Sequence, residues 1–158
     1  MKRSCYISHL GSLMPDENFL LLEAIAQDNR YPIDAYQFVR EAVAYADDNE
    51  ELGEYTYELS PSEDSRTASQ ERHLTGQQLC EAIRLYAINQ FGYMARIVLK
   101  NWGVTETSAF GDIVYNMIDV GIMKKSPLDH RNHFDSVYTF DVFDEGFEIS
   151  NTAAAKRV

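Results

Sequence analysis

Between Thr107 and Gly121, apolar positions recur at Phe110, Ile113, Val114, Met117, Ile118 and Gly121, spaced i, i+3, i+4, i+7, i+8 and i+11. A strand alternates every second residue and cannot bring these positions to one side. A helix of 3.6 residues per turn gathers them into a single stripe. The segment therefore reads as an amphipathic helix laid on a core, with Thr107 as its cap. Gly103 lies just ahead of it, where a left-handed residue would end the helix before, and Gly121 is its own stop.

The same reasoning yields four more helices upstream. The first begins near Pro15 and Asp16, with Phe19, Leu22, Ile25 and Ala26 as its apolar face, and stops at "QDNRYP" because Tyr31 precedes a proline. The second spans about 32–47. Its stripe of Tyr36, Val39, Val43 and Ala46 is widened by Phe38, Ala42 and Tyr45, the mark of a helix packed on two sides. The third is announced by "HLTGQQL", where Thr75 and Gln78 form a capping box. It buries Leu79, Ile83, Tyr86, Ala87 and Phe91 and breaks at Gly92. The fourth, about 93–101, is expected to bury Met94, Ile97, Val98 and Trp102. After Gly121, "GIMKK" and "SVYTFDVF" read as strands around the loop "SPLDHRNHFD". The expected fold class is mainly α with a minor β part (α+β). It has about five helices, a helix-turn-helix or winged-helix-like C-terminal half, and a small β-hairpin. Phe38, Val39, Leu79, Ile83, Ile97, Trp102, Phe110, Val114 and Met117 are the expected core.

A length of 158 residues suits one domain and needs no disulfide or metal to fold. The expected domain runs over 16–144, preceded by an extension at 1–15 and followed by a tail at 145–158. Residues 41–71 carry ten acidic groups and one basic group, most of the net charge of −11. Overlapping them, 47–72 is turn-rich and poor in aliphatics, an acidic loop or insertion; "EYTYEL" reads there as a short strand. Such a balance repels phosphate backbones and anionic lipid at long range. Cys5 and Cys80 form no C-x-x-C and read as reduced thiols. No signal peptide and no membrane span are expected, so the reading is cytoplasmic, without cofactor, with an unidentified protein partner and with a homo-oligomer left open.

The segments "RYPIDAYQFVREAVAYA", "HLTGQQLCEAIRLYAINQFGYMARIVLKNWGV" and "TSAFGDIVYNMIDVGIMKKSPLDHRNHFDSVYTFDVF", in this order and spacing, resemble a small family of uncharacterised bacterial proteins known mainly from planctomycetes and verrucomicrobia. The resemblance covers residues 17–144. It implies a bacterial, single-domain protein, and it assigns no activity and no role to any residue.

Three chemistries can be weighed on the residues. With its apolar stripe removed, the helix from Thr107 shows Gly111, Asp112, Tyr115, Asn116 and Asp119. A reading helix presents Arg, Lys, Asn or Gln to base edges and cations to phosphates. Two carboxylates are the wrong charge, so nucleic acid is disfavoured even though Lys124, Lys125 and Arg131 could form a thin cationic wing. Tyr115, Asn116, Asp112 and Asp119 are instead the expected contact surface for an unidentified protein partner. Asp129, His130, His133 and Asp135 are the alternative, a metal cluster with two imidazoles three apart. Pro127 and Asn132 argue that this stretch is a loop. No G-x-S-x-G, Gly-rich phosphate loop or cysteine signature is present, and no catalytic residue is assigned. The leading expectation is a non-enzymatic interaction or adaptor module, with a winged-helix regulator and a metal-dependent enzyme as alternatives.

Overall fold

The computed structural model describes residues 16–49, 54 and 55, 72–125, 127 and 129–144. The architecture is mainly α. The helices are α1 (Glu17–Gln27), α2 (Ile33–Asp48), α3 (Gly76–Phe91), α4 (Ala95–Asn101) and α5 (Thr107–Asp119). Between α2 and α3, β1 (Glu54–Tyr55) pairs antiparallel with β2 (Arg72–His73), Glu54 opposite His73. The expected strand thus begins at Glu54, and Asp47 and Asp48 of the acidic stretch close α2; residues 50–53 and 56–71, the extension at 1–15 and the tail at 145–158 lie outside the described residues.

α2 is the central element. It packs on α3 and α5, and α1 packs across α2 and α5. Tyr36, Phe38, Val39, Ala42, Val43 and Ala46 are buried along it, as a helix covered on two sides requires. They meet Leu79, Ile83 and Ala87 of α3 and Phe110, Ile113, Val114 and Met117 of α5 in one core. α3 starts on the expected capping box: the Thr75 hydroxyl accepts from Gln78 N–H, and the Gln78 side chain accepts from Thr75 N–H. It ends at Gly92, whose φ of +53° only glycine adopts freely. A single 3₁₀ turn, Gly92–Met94, redirects the chain into α4.

Two helical faces differ from expectation. In α1 the buried positions are Leu21 and Ala24, while Phe19 and Leu22 are both 59% exposed. The run "FLLLEAIA" is apolar nearly all round, so its periodicity does not choose a side; packing on α5 does. In α4 the buried residues are Ala95 and Leu99, whereas Met94 and Ile97 face outward and Trp102 is half-buried. The 3₁₀ turn shifts the helical phase ahead of α4, which an unbroken helix from Tyr93 would not do.

The expected hairpin near the end does not form. The described residues of 121–144 contain no strand. They run as an irregular strap with 3₁₀ turns at Arg131–Phe134 and Phe140–Phe143. Phe140 and Phe143 explain this. Three apart, they eclipse on one face of a 3₁₀ turn and bury together, their rings 5.1 Å apart and edge-on. In a strand they would point to opposite faces. Among the described residues no wing therefore follows α5. Among the described residues no helix is long and apolar enough to cross a membrane.

Candidate functional site

The polar groups of α5 converge on the α1–α2 turn and the strap. Asp112 lies between two arginines. Arg131 from the strap reaches it through both Nε and Nη2, and Arg30 Nη1 stands 3.1 Å from its other oxygen. Tyr31, buried beneath Arg30, donates its hydroxyl to the same oxygen at 3.0 Å. Arg131 also donates to the Ser108 carbonyl at 2.7 Å and pairs with Asp135 at 3.1 Å. One helical turn on, Asn116 donates to the Asp28 carboxylate at 3.0 Å and to the hydroxyl of fully buried Tyr36 at 3.1 Å. Asp28 caps α1, and its carboxylate forks with Arg30; this pairing holds its carboxyl well below the usual carboxylate range. Burial, and then the bond to Asp112, push the Tyr31 phenol up to about 12. Every oxygen of Asp112 is thus committed to a neighbour. This cluster clamps three segments together.

The residues expected on an open face are therefore mostly covered. Asp112, Tyr115 and Asn116 are half-buried, and Asp119 alone of the four is exposed. Tyr115 donates to the Asp129 carbonyl at 3.3 Å, and Lys125 Nζ lies 5.4 Å from its ring centre. Gly111 is buried because Arg131 and Phe134 cross the helix there. Thr107, expected as the cap of α5, is instead its first residue, with Glu106 before it. Its hydroxyl accepts from Val137 N–H at 3.1 Å and so ties α5 to the strap.

The cations expected to face nucleic acid are split. Arg131 is spent on Asp112 and Asp135, Lys125 lies over Tyr115, and Lys124 is exposed. In the metal alternative, His130 and His133 come together edge-on at 5.3 Å, but Asp135 pairs with Arg131 and Asp129 is buried. Among the described residues no three His, Cys, Asp or Glu side chains are placed to hold a metal ion. Cys80 is fully buried and burial pushes its thiol up to about 12, as suits a core filler.

Two features escaped the pattern. Asp28, Arg30 and Tyr31 read only as a helix stop, although Asp28 accepting from the Arg30 N–H is the Asx turn that such a "D-x-R" stretch favours. The outward set Tyr93, Met94 and Ile97 is exposed by 70, 48 and 58% on the turn into α4. Two shallow recesses are lined by described residues. One, of about 300 Å³, is lined by Thr105, Glu106, Thr107, Ser136, Tyr138, Thr139 and Phe140 at the start of α5. The other, of about 180 Å³, lies between α2 and the far ends of α3 and α4. Compared with protein-family models, with curated proteins and with solved structures, the chain matches none.

Proposed function

We propose that the chain is a non-enzymatic protein-interaction module of the bacterial cytoplasm, working through the outward face of α4 and not through α5. The observation that carries this reading is the group of Tyr93, Met94 and Ile97. Tyr93 and Ile97 are four apart and Met94 and Ile97 three apart, so they share one side of the turn into α4. A flexible methionine and an isoleucine exposed side by side, with the exposed Tyr93 next to them, favour a partner, because scattered apolar residues are ordinary but clustered ones mark contact sites. Beside them Arg96 is held by Asp141 and Asp144 of the strap, so the patch has a polar rim.

The test is a Y93S/I97S double variant compared with the wild type in sedimentation velocity and in cross-linked capture from a native bacterial lysate. The reading expects self-association or a captured protein that the double variant loses, with the helical circular dichroism spectrum unchanged. A wild type that stays monomeric and captures nothing, or a captured protein that the variant retains, overturns it. Salt-dependent retention of the wild type on random duplex would instead favour the nucleic-acid alternative.

A further inference from the structure

We propose that the recess between α2 and the ends of α3 and α4 binds an alkylammonium group. This goes beyond the interaction reading and rests on different residues. Three rings form its floor. Phe38 of α2, Phe91 at the end of α3 and Trp102 just after α4 meet with centroids 5.5 to 5.8 Å apart, Phe91 and Trp102 edge-on. Phe38 is buried, while Phe91 and Trp102 are half-buried and carry the accessible aromatic surface. Asp34, Gln37 and Glu41 line one side. They fall at i, i+3 and i+7 along α2, so two carboxylates and an amide share one face of the helix and line the recess with the rings. Glu41 is fixed by the Tyr86 hydroxyl, which donates to it at 2.8 Å.

Among the described residues the lining holds two carboxylates and no basic side chain. Aromatic faces are electron-rich, and a cation that sheds water easily prefers them to solvent. Quaternary and alkylated ammonium groups are the ions that fit this description, and carboxylates nearby add attraction without demanding a metal's geometry. The space, about 180 Å³, lies below the ~300–1,000 Å³ of pockets for drug-sized ligands, so it suits one head group. The net charge of −11 draws cations towards the molecule from a distance. The head group is that of a small quaternary ammonium such as choline or that of an Nε-methylated lysine side chain.

Trp102 is the sole tryptophan of the chain, so its fluorescence reports on this recess alone. The protein is titrated at constant ionic strength with choline, with Nα-acetyl-Nε-trimethyl-lysine N-methylamide, and with the neutral choline isostere 3,3-dimethylbutanol. The expected result is a saturable change with one or both cations, with a Kd on the order of millimolar, and none with the isostere. Which cation saturates first tells a small quaternary ammonium from a methylated lysine side chain. D34N and E41Q should each weaken binding roughly two- to fivefold, the scale of exposed ion pairs, and the double variant more; E41Q keeps an acceptor for Tyr86. D119N, which neutralises an exposed carboxylate on α5, should leave Kd unchanged. No saturation below ~100 mM for either cation overturns the proposal, being weaker than such contacts predict. Equal response to the isostere, or equal weakening by D119N, overturns it too.

Discussion

Gly111 shows how one missing side chain admits a neighbour. A Cβ there would lie 2.7 Å from Arg131 Nη1 and 2.9 Å from Phe134 Cβ. The guanidinium could swing aside only by leaving Asp112, and the Phe134 backbone cannot swing at all. Alanine gains about 1 kcal/mol of helix propensity, while overpacking costs roughly 1–3 kcal/mol. We expect Gly111→Ala to be destabilising by about 1 kcal/mol in denaturant unfolding, since the clash exceeds the propensity gain. Asp28 makes a prediction about pH. Its folded pKa lies below its unfolded one, chiefly because Arg30 hydrogen-bonds to it. Its contribution to stability is therefore complete above about pH 4 and is lost as the pH falls below that towards the depressed value. Asp28→Asn should flatten this acid limb in thermal melts between about pH 5 and pH 2. An identical pH profile for variant and wild type would show that the pairing adds nothing.

At the scale of elements, the strap is held to α5 by polar contacts as well as by buried rings. Thr107 is 1% exposed and its hydroxyl accepts the Val137 amide, while Arg131 spans Ser108 and Asp112. Thr107→Val keeps the shape and removes the acceptor. The half-buried amide left behind should cost about 1 kcal/mol, and Val137 should exchange its amide hydrogen faster than in the wild type. The helix starts differ in how legible they are. Thr75 and Gln78 announce α3 because a capping box is written in four consecutive residues. The start of α5 shifts by one residue because Thr107 has a better partner 30 residues away. The exposed side of α4 was mistaken for its buried side because Gly92–Met94 winds as 3₁₀, and local propensity does not fix that phase.

Across the whole molecule, Phe38 joins the aromatic contacts of α2, α3 and α4. Its ring stands 5.3 Å from Tyr86, 5.6 Å from Phe91 and 5.5 Å from Trp102. Phe38→Ala should cost roughly 3–5 kcal/mol, large against the 5–15 kcal/mol total of a domain, and should lower the melting temperature steeply. Replacing exposed Phe19 or Leu22 should change stability by no more than about 0.5 kcal/mol, a contrast that checks the assignment of the α1 face in the same melts.

The sequence by itself determined five helices, their approximate limits, and the inward stripes of α2, α3 and α5, because amphipathic period, capping residues and glycine stops act within a few residues of one another. Phe38, Val39, Leu79, Ile83, Phe110, Val114 and Met117 are buried as their spacing requires. Only the tertiary structure decided which of two apolar sides α1 and α4 turn inward, that the described residues of 121–144 run as a strap with 3₁₀ turns, and that Asp112, Tyr115 and Asn116 are covered. The partners of those three include Arg30, Asp28 and Tyr36, up to 88 residues away along the chain. Spacing on one helix says which residues share a face. It does not say which distant segment comes to lie on it, and that depends on how the helices pack together.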